Sequence, residues 1–140
     1  MSDIFSKRKR SEIMSKISGR ETKPEIEVRK FLFANGFRYR KNDRRYPGKP
    51  DIVLPKYKTV IFVHVCFWHG HNCPAGKLPE TNKDFWQNKI NENKKRDARN
   101  IEDLGQMGWN VIVIWQCEMK NKKLRTAKLE NLKSTLLSIV

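Results

Sequence analysis

At 140 residues the chain is sized for one domain with a modest hydrophobic core. Its 30 Lys and Arg against 15 Asp and Glu give a formal net charge of +15, which favours a polyanionic partner, nucleic acid first. No apolar stretch approaches the roughly 18 residues of a membrane span and the N-terminus lacks the apolar part of a secretory signal, so a cytoplasmic address with no membrane partner is expected.

Residues 1–10 read as a basic arm, and Ser11 to Ile17 as a short helix with Ile13, Met14 and Ile17 on one side. Thr22-Lys23-Pro24-Glu25 has the form of a capping box, with proline tolerated in the first turn. The helix it opens runs to the stop signal Asn35-Gly36 and has Val28, Phe31, Leu32 and Phe33 as its apolar face. Three strand-like segments follow: Phe37 to Arg40, Asp51 to Leu54, and the β-branched run Thr59 to Val65. A long helix is expected from Lys83 to Met107, opened at Thr81 or Asp84, with Ile90, Asp97, Ile101 and Leu104 near one face. Gly108 ends it, Trp109 to Trp115 is a buried strand, and Leu124 to Ile139 a terminal helix. The order αβββαβα describes one α/β sandwich around a mixed sheet, residues 1–140, with 1–20 as an arm.

Residues 64–73 hold every histidine and two of the three cysteines. Cys66, His71 and Cys73 have a Cys-x4-His-x-Cys spacing, and Cys117 can complete a Cys3His tetrahedron, the closed shell of structural zinc. Both Cys66 and Cys117 lie just past a strand, which brings them to one sheet edge if those strands are neighbours. The alternative is that Cys66 and Cys117 are ordinary buried cysteines. His69 competes with His71 for the ligand position at two-residue spacing.

Asp51 stands at the start of a strand, where a carboxylate suits Mg²⁺, although Pro-Asp is also frequent in turns. His64 ends the neighbouring strand. His69 can take a proton near neutral pH, and Asp97 can orient its ring or simply pair with a helix cation. Phe67, Trp68 and Trp86 can stack on bases, while core packing explains Trp86 equally well on periodicity.

Taken together, Gly48-Lys49-Pro50-Asp51, Val60 to His64, Cys66-Phe67-Trp68-His69, His71, Cys73, Phe85-Trp86, Lys89-Ile90, Arg96-Asp97 and Gly108-Trp109 through Cys117 resemble the very short patch repair (Vsr) DNA mismatch endonucleases. The resemblance runs from about Arg10 to Cys117. It implies a restriction-endonuclease-like, PD-(D/E)xK-type fold that departs from that superfamily, because Phe62-Val63-His64 stands where Glu-x-Lys is usual. It implies a Mg²⁺ held by Asp51 and the backbone carbonyl of Val63, a position where the family often has threonine. It assigns His71 to zinc with Cys66, Cys73 and Cys117, and His69 to catalysis with His64 and Asp97. The family tends to have more histidines in the loop occupied here by Gly70 and Asn72. The activity implied is nicking of double-stranded DNA on the 5′ side of the mispaired T in T·G mispairs left by 5-methylcytosine deamination. Phe67, Trp68 and Trp86 enter the base stack, and Met14 and Ile17 approach the opposite groove. A monomer is expected, with mismatch-repair proteins as further partners. Two other readings stand beside this one: a non-catalytic zinc-containing DNA-binding module, and a restriction-type nuclease reading matched sequence.

Overall fold

The structure is a computed structural model that describes residues 22–139. Helix α1 (Lys23–Ala34) leads into strands β1 (Arg40–Lys41), β2 (Ile52–Leu54) and β3 (Thr59–His64), then helix α2 (Lys83–Gln106), strand β4 (Asn110–Trp115) and helix α3 (Lys122–Ile139). The αβββαβα order expected from the periodicities is the order found. The four strands form one sheet in the order β1-β2-β3-β4. The first two neighbour pairs are antiparallel, while β3 and β4 run parallel, as a strand–helix–strand crossover through α2 allows. The short helix anticipated around Met14 and Ile17, and the basic arm before it, lie outside the described residues.

Strand alternation divides the core into two layers. Ile52, Leu54, Ile61, Val63 and Ile114 point to one face, where Val28 and Leu32 of α1 and Leu129, Leu132 and Leu136 of α3 cover them. Val53, Val60 and Phe62 point to the other face, against Leu104 of α2 and the half-buried Val111 and Val113. Each aliphatic side chain buried in these layers contributes about 1.5–3 kcal/mol relative to exposure. Helix α2 buries only Ile90 and Leu104 along its 24 residues. It is a polar helix laid across the sheet, with most of its cations left facing solvent.

Three local expectations are corrected. The first strand begins at Arg40 rather than Phe37, because Phe37 is consumed in ending α1. Its N–H donates to the Leu32 carbonyl (2.9 Å) past Gly36 at φ +81°, and its ring packs on Tyr57 at 5.3 Å. Phe33 is 77% exposed, since the buried stripe of α1 is set by Val28 and Leu32, four apart, and Phe33 lies one step around the helix. The last helix starts at Lys122 rather than Leu124. Asn121 caps it, its Oδ1 accepting from the Leu124 amide at 2.9 Å.

Candidate active site

The β2–β3 ladder ends at the pair Ile52–Ile61. Two residues further along β3, the Val63 amide has no strand partner on that side and donates to Asp51 Oδ2 at 2.6 Å. A strand residue sends its N–H and C=O to the same edge, so the Val63 carbonyl shares that edge with the Asp51 carboxylate. Burial pushes the Asp51 pKa up from 3.8 to about 7. The bond from Val63 opposes this, and the nearby Glu25 carboxylate adds to it. A dication at Asp51 would relieve both the desolvation and the repulsion.

Glu25 is the site residue that sequence reasoning missed, having been taken only as the acidic member of a capping box. Thr22 does cap the helix, its Oγ1 accepting from the Glu25 amide at 3.4 Å. Glu25 itself is 4% exposed, lines the cleft beside Asp51 and accepts from Arg29 Nη1 at 2.7 Å. A buried Glu–Arg pair one helical turn apart, spaced i,i+4, was the available signal.

His64 ends β3 on the α2 face, with its ring stacked on that of His69 at 3.7 Å and 3° between planes. Burial, then the His69 charge, lowers the His64 pKa to about 4, with Asp97 opposing, so this imidazole is neutral around pH 7. Its Nδ1 is buried with no hydrogen-bond partner among the described residues. His69 Nδ1 lies 2.6 Å from Asp97 Oδ2. A carboxylate only accepts, so Nδ1 is the donor in this contact and Nε2 is the ring atom left for other partners. His64, His69 and Asp97 also sit close enough together to suggest an ion. Parallel rings 3.7 Å apart cannot both hold one ion in plane, however, so the trio is suited to handling a proton.

These groups line a cleft of about 1120 Å³ whose walls also carry Arg44, Lys49, Lys89 and Arg96. Cations so placed would favour a polyanion in the cleft. The loop bearing Asp51 is packed closely on α2. Gly48 has φ +79°, and a Cβ there would lie 2.9 Å from Asn100 Nδ2.

Trp68 lines the cleft, and with Phe67 and Trp86 it forms a triangle of edge-on contacts with centroids 5.2–5.9 Å apart. All three are half-buried, and Asn93 Nδ2 holds the Trp68 carbonyl at 2.9 Å. Trp86 belongs to this cluster and to neither layer of the core. Phe85, 61% exposed and edge-on to Trp86 at 5.2 Å, extends this aromatic cluster.

Because β3 and β4 run parallel and in step, with His64 opposite Trp115, the segments leaving them emerge together. Ligand atoms of Cys66, His71, Cys73 and Cys117 all lie within 4.8 Å of one another. Sulfur–sulfur separations around tetrahedral zinc are roughly 3.8 Å, so three thiols and an imidazole at this spacing fit that ion. His71 turns Nδ1 to within 3.4 Å of Cys117 Sγ. Burial pushes Cys66 up to about 12. Desolvation also raises Cys73, but bonds from His71, Cys66 and the Gly76 and Ala75 amides outweigh it and bring it to about 7. Gly76 is required here, since a Cβ would meet the His71 carbonyl oxygen at 2.0 Å. The structure thus places His71 among the thiols and His69 on Asp97, separating two histidines that spacing alone left equivalent.

The family described as DNA mismatch endonuclease Vsr matches residues 2–75. Over 132 residues the chain is 58% identical to the type II nicking enzyme V.NmeAIP of Neisseria meningitidis serogroup A / serotype 4A, covering 94% of each chain. It is 42% identical to the type II nicking enzyme V.XorIIP of Xanthomonas oryzae pv. oryzae, over 94% of this chain and 97% of that one. It is 39% identical to the DNA mismatch endonuclease Vsr of Escherichia coli (strain K12), over 90% of this chain and 81% of that one. Relatives of this kind make the chain an endonuclease, and the reading of a non-catalytic binding module gives way. The chain belongs to the Vsr family of DNA mismatch endonucleases.

Proposed function

We propose that the chain is a Mg²⁺-dependent, zinc-stabilised endonuclease that nicks double-stranded DNA on the 5′ side of the mispaired T in T·G mispairs arising from 5-methylcytosine deamination. The observation that carries this reading is the acid–histidine group of Asp51, His64 and His69–Asp97 in a basic cleft that Trp68 also lines. Asp51 and the Val63 carbonyl would hold Mg²⁺, which when bound neutralises a phosphate and lowers the pKa of water. Valine in place of threonine at position 63 leaves that carbonyl untouched. His69 Nε2 takes the proton of the attacking water, while Asp97 fixes the tautomer and stabilises the imidazolium. His64 stays neutral and walls the base. Cys66, His71, Cys73 and Cys117 would hold zinc as a closed structural shell, tethering the loop that carries His69.

Phe67, Trp68 and Trp86 enter the base stack. Stacking on each contributes roughly 1–3 kcal/mol, against an unstacking cost of a few kcal/mol for the step. A wobble pair is easier to distort, so it tips this near balance. Met14 and Ile17, in the 1–20 arm, approach from the opposite groove. We infer a restriction-endonuclease-like fold acting as one monomeric domain in the cytoplasm, with mismatch-repair proteins as further partners.

The deciding experiment incubates a T·G duplex and its matched counterpart with Mg²⁺ and either wild type or Asp51→Ala. A strand-specific nick at the mispair by wild type alone is expected. Equal nicking by the variant removes the assigned chemistry. Equal cutting of the matched duplex favours the second reading, a nuclease that recognises intact sequence, which the names of the nicking-enzyme relatives keep in play.

A further inference from the structure

We propose that Trp115 is a positioning residue that transmits the order of the Cys3His cluster to the catalytic histidine pair, an inference that rests on the roles assigned above to His64 and His69. One indole stands between three imidazoles. The His71 ring lies flat against it, centroids 4.1 Å apart and planes within 12°. His64 is edge-on to the same indole at 5.1 Å and 73°, and His69 at 6.4 Å and 72°.

The need for such a wall comes from His64. Its buried Nδ1 has no hydrogen-bond partner among the described residues, so no bond at that atom fixes the ring's rotation. What surrounds it is a set of ring contacts with Phe62 at 5.6 Å, His69 at 3.7 Å and Trp115 at 5.1 Å. Removing the indole would leave a gap on one side of a ring free to turn into it, and His69 would lose the surface on which it is stacked. Trp115 is itself held from two directions. It is the parallel-strand partner of His64, and its backbone N–H donates to Glu118 Oε1 at 2.8 Å, with Glu118 Oε2 paired to Lys128 at 2.9 Å. Its third constraint is His71, a member of the cluster that fits zinc. With a dication in the cluster, the His71 imidazole would be held as a rigid, polarised plate, well suited to stack on an indole face. Order in the metal cluster therefore becomes order in the proton-handling pair through one side chain that touches neither metal nor substrate.

The test compares wild type, Trp115→Leu and Trp115→Phe as full-length, zinc-loaded proteins. Four quantities are read: zinc content, affinity for a T·G duplex, kcat and KM for nicking, and cross-relaxation between the His64 and His69 ring protons by NMR. Trp115→Leu is expected to keep its zinc and its DNA affinity, with KM within about twofold, while kcat falls about 10- to 100-fold and the inter-ring cross-relaxation disappears. Trp115→Phe, retaining a flat ring, restores most of both. An unchanged kcat or an intact His64–His69 contact in Trp115→Leu overturns the proposal. So does a loss of activity that excess zinc fully restores, which makes Trp115 a prop for the metal cluster alone. If Trp115→Leu does not fold, Trp115→Phe and Trp115→Tyr decide by the same readouts, a graded fall in kcat tracking weakened cross-relaxation being required. A wild type that fails to nick refutes the endonuclease mechanism, whereas the NMR contact still judges the positioning claim separately.

Discussion

Replacing Asp51 with asparagine should make the Mg²⁺-free protein more stable, and by an amount that depends on pH. The side chain is nearly isosteric and its amide oxygen can still accept from Val63, so the change chiefly removes a charge. Burial raises the folded-state pKa of Asp51 from 3.8 to about 7. A carboxyl shifted upward favours the fold while protonated, and that advantage is present below pH 3.8 and lost as pH rises through 7. At 1.36 kcal/mol per pH unit, the raised Asp51 pKa costs the Mg²⁺-free protein about 4 kcal/mol at pH 8, where the folded carboxyl is ionised, and about 2 kcal/mol at pH 5, where folding must take up a proton. Asparagine carries no such penalty. Urea unfolding of both proteins, with zinc saturating and EDTA absent, should show the variant ahead by those margins, on the order of 10 °C in Tm at pH 8. Adding Mg²⁺ at pH 8 should narrow the gap, because the ion binds only the ionised wild type. A variant no more stable than wild type at pH 8, or a gap that does not shrink between pH 8 and pH 5, refutes the argument that Asp51 is a desolvated carboxylate awaiting a cation.

Other expectations concern separate parts of the site. His69→Ala should lower single-turnover nicking about 10²–10⁴-fold with T·G binding retained, and Asp97→Asn should act in the same direction; a wild-type rate in either removes the general-base assignment. Cobalt substituted into the purified protein should show thiolate charge-transfer absorption that Cys117→Ser weakens, and no such band would dismiss the Cys3His site. Trp68→Ala should reduce the preference for T·G over matched duplex by about 1–3 kcal/mol, measured by competition; an unchanged ratio means the aromatic cluster does not read the mispair. DNA affinity should fall steeply and log-linearly with salt, with a slope near −0.9 per phosphate neutralised, and a flat profile would contradict the role given to Arg44, Lys49, Lys89 and Arg96.

The strands were legible because runs such as Thr59 to His64 are β-branched and apolar on both faces, as a strand covered by helices on each side must be. The cysteines and histidines were legible by their chemistry, since soft ligands are scarce in this chain and crowd into one loop. Assigning one role to each histidine required more. His69 and His71 are two residues apart, and only the fold turns one to Asp97 and the other to Cys117. Glu25 stayed hidden because its neighbours explain it locally as a helix-capping residue. Its approach to Asp51 arises from α1 packing on the sheet, a contact with no signature in spacing. Phe37 was misjudged because helix termination outranked strand propensity there, a competition settled by one backbone bond to Leu32.

The parallel pairing of β3 with β4 also bears on how a correct sheet is recognised as correct. Six residue pairs from Thr59–Asn110 to His64–Trp115 set this register. A slip of one residue would move Cys117 by about 3.3 Å and turn Trp115 to the opposite face of the sheet. Four-ligand capture of a metal would then fail, and the histidine pair would lose its wall in the same event. If the four ligands hold zinc as proposed, affinity for the ion becomes a measure of strand alignment.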